Sequence, residues 1–486
     1  MSALESIGSR FKAELSGQLV STLSGAVLMV FLARTLEPDG YGLLYLALSV
    51  FAVVVFVSNL GIATSAARYV AEYRATDPGQ IRHVVRKSAA YVLVSSTVTA
   101  ILLVLFHEYV ATILDEPGLT SLLAVGAAFV VATSFVTYVR TLLQGLERIH
   151  RCSHVVVALS VAKLGFVVAF VLLGFGALGA LVGHVLALAL AACLGGVYLY
   201  RELGSLEVAE QAEDGLGERI LRYSVPIVFT RGSDMLDKQV DTILVGFFLT
   251  PVAVGYYVVS KQVVTFVQAP AAALGFTVSP TFGNRKAADE LVEAARVYES
   301  TLVYVLLLYL PAAAGIAIVA EPAIEYTFGP DYLGAVPVLQ ILACFVVLQA
   351  MMQVTSSALD FLGRARTRAY AKGSTAVANV VLNVLLIPEY GVVGAAAATV
   401  ATYGVYAAVN LYVISTEFPL RVRHLVRQAT TILAITALMA LLVASLVGYV
   451  AGVGQLVVVV LVGGLAWAVL SYFTGFLEPD DLAAAL

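Results

Sequence analysis

Apolar residues in this chain come in runs long enough to cross a bilayer, and polar residues fall mostly in the gaps between them. A spanning helix needs ~20 predominantly apolar residues. Fourteen stretches meet that need, near 12-34, 41-67, 88-106, 119-146, 153-174, 176-200, 219-248, 253-282, 297-320, 334-361, 368-387, 391-414, 425-450 and 454-476. The pattern predicts an all-α integral membrane protein of about 14 transmembrane helices. Its first run follows Arg10 and Lys12 as a signal peptide would, yet Leu15 to Ala33 is long enough to stay as a span.

The gaps alternate in charge. One set holds Arg68, Arg74, Arg82, Arg86 and Lys87, then Arg148 and Arg151, then Arg285, Lys286 and Arg296, and later Arg364 to Lys372 and Arg421 to Arg427. The other set holds Arg34 as its one cation, beside Glu108, Asp115, Glu116, Glu321, Glu325 and Asp331. Basic loops face the cytoplasm, so both termini are expected there.

A repeat runs through this pattern. Pro38-Asp39-Gly40-Tyr41 returns as Pro251 to Tyr256, and Gly176 to Ala180 returns as Gly391 to Ala395, with Gly40 to Gly255 and Gly176 to Gly391 each offset by 215 positions. Six spans separate the copies, so they share one orientation and form two six-helix lobes related by a pseudo-two-fold axis along the membrane normal. The expected organisation is a first lobe at 1-200, an acidic cytoplasmic linker at 201-218, a second lobe at 219-416, and two extra C-terminal helices at 417-486. The linker carries Glu202, Glu207, Glu210, Glu213, Asp214 and Glu218 and reads as solvated. At the hairpins, Gly40, Gly255, Gly176 and Gly391 are expected to take left-handed backbone, with Pro38 and Pro251 stopping the helix before them.

Composition narrows the function. Apolar residues make up 60% of the chain and charged residues 12%, with mean hydropathy +0.93, against roughly 25% charge in soluble domains. No soluble domain stands out, and no GxxxxGK[ST] phosphate loop for ATP-driven transport is present. Cys152, Cys193 and Cys344 stand singly, without disulfide or metal-ligand spacing, so neither cofactor nor metal is expected.

The first hairpin, Phe31 to Val50, with Asn59-Leu-Gly-Ile-Ala and Arg68 to Tyr73 after it, resembles the opening of polysaccharide-biosynthesis flippases. Pro388 to Ala397 resembles their hairpin between spans 11 and 12. The chain is thereby similar to the oligosaccharide flippases of the multidrug/oligosaccharidyl-lipid/polysaccharide exporter superfamily. That resemblance implies two lobes around a central cavity, walled largely by spans 1, 2, 7 and 8, and alternating access. It also implies a substrate made of a sugar chain on a polyprenyl phosphate or diphosphate. In lipid II flippases two extra C-terminal helices help form a groove for the lipid tail, a part that the resemblance alone, and nothing in their own sequence, extends to spans 13 and 14.

Ionisable groups inside spans carry the strongest functional signal, since each costs ~2.5-3.5 kcal/mol at a helix centre. Span 7 holds Arg231, Asp234, Asp237, Lys238 and Asp241. At 100° per residue these five cover about 120° of the helix, a single polar face. Two readings stand: an internal ion-pair ladder, or a cavity lining. In the second, Arg231 and Lys238 meet phosphate or sugar oxygens while Asp234, Asp237 and Asp241 couple ions. Lys163, Lys261 and Arg34 are further substrate-binding candidates. His184 reads as a core histidine, and Asn59, Gln268, Gln349, Gln353, Asn379 and Asn383 as groups for sugar or for interhelical bonding.

The expected protein is a non-enzymatic flippase in a prokaryotic plasma membrane, moving a lipid-linked sugar or oligosaccharide to the outer leaflet. Its partners are that substrate, membrane lipids and glycosyltransferases or a polymerase of the same pathway, with no nucleic acid, and it is expected to work as a monomer. The alternatives are a cation-coupled multidrug antiporter, which should lack cavity cations, and a membrane-embedded glycosyltransferase, which needs catalytic groups on sizeable outer loops.

Overall fold

The computed structural model describes residues 3–207, 209–268 and 291–476, and every regular element among them is helical. In chain order they are α1 (Ala3–Asn59), α2 (Ile62–Thr76), α3 (Ile81–Ile113), α4 (Leu119–Gly145), α5 (Ile149–Phe170), α6 (Gly176–Gly204) and α7 (Leu216–Phe248). There follow α8 (251–268), α9 (Leu291–Phe328), α10 (Val336–Phe361), α11 (Ala365–Glu417), α12 (Val422–Val447) and α13 (Val453–Phe473). Nine helical stretches of the described residues are long and apolar enough to cross a membrane. Three of these, Gly17–Asn59, Ile149–Gly204 and Ala365–Glu417, contain a break that divides them into two spans. With the charged α7 and the described part of α8, each of the fourteen expected spans has a helical counterpart.

The breaks show how the hairpins are built. In α1 the chain leaves the helix at Glu37 (φ 57, ψ 174), and Pro38 begins the next helix. A residue before proline is pushed out of the helical region, and proline suits the first helical position. In the second copy the chain leaves the helix two residues before its proline, where Leu249 is extended (φ −128, ψ −152), and Pro251 opens α8. Gly40 and Gly255 therefore lie within helices and carry no left-handed backbone, contrary to expectation. Gly176 (φ 54) and Gly391 (φ 60) do adopt positive φ, which a β-carbon would strain.

One element departs from the predicted spans. The second span ends at Asn59 and not near 67, because Leu60 (φ 40) and Gly61 (φ 73) turn the chain into the separate helix α2. Its Ile62, Ala66, Tyr69 and Tyr73 recur at helical spacing and are buried, while its other face is polar.

The chain forms two compact units, one up to Val254 and one from Gly255. In the first, α5 pairs with α6 and α3 with α4, while α1 lies along α4, α5 and α6, and α2 packs on α3, α4 and α7. Tyr138 anchors this core, with its hydroxyl 2.8 Å from that of Ser88 and donating to the Val85 carbonyl at 2.9 Å. Ser58 and Ser134 join α1 to α4 through a buried 2.9 Å hydrogen bond. Such bonds add to the close packing that holds helices together in lipid, where hydrophobic exclusion does not act between them. In the second unit α9 packs on α10, α12 and α13, and α10 on α11. Tyr298 meets Thr355 at 3.0 Å, and the Trp467 indole donates to the Leu307 carbonyl at 2.8 Å.

Candidate functional site

Helix α7 keeps its helical backbone through the charged stretch from Arg231 to Asp241, despite Pro226 within it. Its start is fixed to the first unit by the Ser65 hydroxyl, which donates to the Ile220 carbonyl at 2.8 Å, and by fully buried Leu216 and Ile220. Its far end is fixed by close approach, since a β-carbon on Gly246 would lie 2.5 Å from Leu46. Between these anchors Asp241 is 1% exposed, Lys238 is exposed, and both are engaged in polar or electrostatic contacts. The side chains of Arg231, Asp234 and Asp237 lie outside the described residues. A carboxylate buried in a membrane span without an interaction partner costs several kcal/mol, so an engaged Asp241 is what packing here requires.

The remaining candidates are spread over the fold. Lys163 is half-buried in the middle of α5, has no hydrogen bond or ion pair among the described residues, and lies near enough to His184 on α6 to act on it electrostatically. His184 places its Nδ1 2.8 Å from the Ala180 carbonyl, one turn earlier, as a core histidine does. Arg34 is exposed on the first half of α1, three residues before its break. Lys261, in the second unit, sets its ammonium 5.4 Å from the centre of the buried Tyr257 ring, a cation–π contact. Asn379 and Asn383 are taken up within α11, where Asn379 donates to Thr402 at 3.3 Å and Asn383 to Asn379 at 3.0 Å. Among the described residues no three His, Cys, Asp or Glu side chains gather to hold a metal.

Three features escaped the sequence pattern. The acidic connection is docked: α6 runs on to Gly204, and the segment after it is stitched to the start of α3. Gln80 donates to the Gln211 carbonyl at 3.0 Å and accepts from the Glu213 amide at 3.0 Å, Ala209 donates to the Gly79 carbonyl at 3.2 Å, and His83 lies 2.8 Å from the Ala209 carbonyl. Glu213 accepts from Tyr73 and pairs with Arg219 at 2.6 Å. Burial and the bond to Glu213 push the Tyr73 phenol up to about 12, and the same bond holds the Glu213 carboxyl below its ordinary range. The second feature is Glu299, 1% exposed, which takes two bonds of 2.8 Å from Arg296 and one of 2.9 Å from Arg421 Nε, tying α9 to the foot of α12. The third is an apolar cavity of about 400 Å³ between α9, α12 and α13, lined by Pro311, Ile316, Met439, Val460, Gly464 and Trp467 among others. Its glycines leave the helix surfaces low, which opens the groove.

Comparison with known proteins fits this architecture. A family model described as polysaccharide biosynthesis protein matches residues 13–285, and one described as MatE matches residues 226–385. A probable low-salt glycan biosynthesis flippase of Haloferax volcanii is 26% identical over 205 residues, 42% of this chain and 43% of that relative. The match thus spans less than half of that relative's length. An uncharacterized membrane protein of Methanocaldococcus jannaschii is 24% identical over 409 residues, 80% of this chain and 92% of the relative. The inward closed conformation of the lipid II flippase MurJ superposes with a TM-score of 0.79 at 14% identity, over 95% of this chain and 98% of that one. Long apolar helices in two compact units, together with a family match over more than half its residues, place the chain in the polysaccharide biosynthesis protein family, a multi-pass membrane protein with the fold of the exporter superfamily's flippases and transporters.

Proposed function

We propose that the protein is a flippase for a sugar or oligosaccharide linked to a polyprenyl phosphate or diphosphate, moved from the cytoplasmic to the outer leaflet of the plasma membrane by alternating access. The observation that carries this reading is the charged stretch of α7, kept helical inside a membrane bundle with Asp241 buried and Lys238 exposed. Cations there favour a phosphate-bearing cargo over the cationic drugs of a multidrug antiporter. Arg231, Lys238, Lys163, Lys261 and Arg34 are the substrate-binding candidates, and Asp234, Asp237 and Asp241 the ion-coupling candidates. The relative's name and the family's description support the glycan.

The apolar groove of α9, α12 and α13 takes the lipid tail in this reading. It is large enough for several isoprene units, and its lining offers nothing to a sugar. The head crosses while the tail stays among apolar surfaces, so no bond is made or broken. An ion gradient or the membrane potential drives the step, at ~2.3 kcal/mol per charge per 100 mV. Both termini face the cytoplasm, the two repeats at 1-200 and 219-416 act as the lobes, and glycosyltransferases or a polymerase handle the cargo before and after it.

Reconstituted vesicles loaded with a radiolabelled polyprenyl-phosphate sugar test this. Oxidation by external periodate should reach the inner-leaflet pool far faster with the protein than without it. Equal rates in protein-free vesicles, with a cationic dye transported instead, would make the antiporter the correct reading.

A further inference from the structure

The outward face of α12 carries a charge arrangement that transport of a glycan does not use. Arg421, Arg423, His424, Val426, Arg427 and Thr430 line a surface concavity of about 710 Å³ at the start of this helix. Arg423, Arg427 and Thr430 share one face, at about 0°, 40° and 340° around the axis. The same face continues with Leu438 and Leu441, 55% and 70% exposed, at about 60° and 0°. It thus begins with two guanidinium groups and becomes a bare apolar stripe about 20 Å further along the helix. Met439 and Val443, which line the apolar groove, lie on the opposite side.

The local charge balance is strongly positive. Glu299 is shared by Arg296 and Arg421, and Glu417, just before the concavity, is held by Arg364 at 2.6 Å. Arg423 and Arg427 have no ion-pair partner among the described residues. Two exposed guanidinium groups one turn apart, with a hydroxyl beside them, present a fork of donors to a tetrahedral anion.

We propose that this face binds an anionic membrane phospholipid, its phosphate on Arg423, Arg427 and Thr430 and its acyl chain along Leu438 and Leu441. The ligand is a resident lipid and not the transported one. Both ends of the lipid are matched by one continuous face, which a free phosphate would use only in part. Because Arg421 is bonded to Glu299, the lipid also steadies the foot of α12 against α9.

Native mass spectrometry of the full-length protein in detergent, titrated with phosphatidylglycerol and phosphatidylcholine, tests the site. The wild-type protein should retain phosphatidylglycerol preferentially, and the double variant Arg423→Gln with Arg427→Gln should retain it roughly 30-fold less well, from about 1 kcal/mol per basic residue near a lipid surface. Without added lipid, the two proteins should unfold at the same midpoint, followed by Trp467 emission, which separates loss of the site from loss of the fold. Undiminished retention in the double variant, or equal retention of phosphatidylcholine, would overturn the proposal. So would inorganic phosphate protecting the wild-type protein as well as phosphatidylglycerol does, since the site would then be one for a free anion. None of these readouts depends on glycan transport.

Discussion

The Tyr73 hydroxyl donates to the Glu213 carboxylate, joining the last turn of the surface helix α2 to a connection 140 residues further along the chain. That bond makes the acidic segment part of the first unit. It also sets a pH window. Tyr73 is raised to about 12 from 10.0, so its stabilising contribution is complete below pH 10 and is lost as pH rises through 12. Glu213 is lowered from 4.5, so its contribution is present above that pH and is lost as pH falls further.

Limited proteolysis of the segment between Gly204 and Leu216 should therefore be slow at neutral pH and accelerate at both extremes. Tyr73→Phe should make it several-fold faster at neutral pH, because the hydrogen bond to Glu213 is lost. Cleavage unchanged by the substitution would mean that Gln80 and His83 hold the segment without help.

Lys163→Ala and Arg231→Ala should each lower flipping about tenfold or more while leaving folded yield nearly unchanged. A charge-assisted bond to a phosphate contributes about 1.5–3 kcal/mol. Normal transport by both variants in reconstituted vesicles would assign these residues to structure.

Asp241→Asn tests coupling. The side chain is buried in a span, and an amide keeps its shape while removing the capacity to bind a cation or proton. Transport should lose its dependence on the driving ion while the protein remains folded; a wild-type ion dependence would place coupling elsewhere.

Glu299→Gln should destabilise the second unit by about 1.5–3 kcal/mol, because the buried carboxylate loses its charge-assisted bonds while the half-exposed guanidinium groups of Arg296 and Arg421 keep contact with water. Trp467 is the single tryptophan of the chain and is bonded to α9. Its emission during thermal unfolding reports on α9, α12 and α13 directly.

Gly464→Leu should obstruct the apolar groove with little effect on folding, since nothing lies within 4 Å of a β-carbon built there. A polyprenyl phosphate with a brominated tail should quench Trp467 in the wild-type protein, and quench it several-fold less in the variant. Equal quenching would remove the groove from the path of the tail.

The spans were legible in the sequence because a bilayer demands a length, and an apolar run of that length is visible without a structure. The breaks were half legible. Pro38 and Pro251 announced the turns, but the residue that leaves the helix is the one the proline displaces, Glu37, or lies just ahead of it, Leu249, and not the nearby glycine. Helix α2 was hidden because its buried stripe continues the apolar run of the second span, and only Leu60-Gly61 marks the turn. Glu207, Glu210, Glu213, Asp214 and Glu218 are exposed, as a solvated connection requires, but its docking was not legible, because net charge says how a segment is hydrated and nothing of backbone bonds such as Ala209 to Gly79. Single ionisable residues in spans were visible, but whether each meets a neighbour depends on the rotation of two helices. Lys261 found Tyr257 one turn away on its own helix, whereas Glu299 found Arg421 from a distant one.

The proposed repeat opens its second copy at 219, in the first turn of α7, yet the compact unit that begins at the N-terminus runs on through α7 to Val254. For anyone dissecting the protein, the choice of cut then decides which fragment behaves. A gene split at the acidic connection would leave the second fragment carrying a highly charged helix stripped of Ser65, Leu46 and the rest of its seat. A split after Phe248 would keep α7 where it is bonded, and coexpressed halves cut there should reassemble with fewer losses to aggregation.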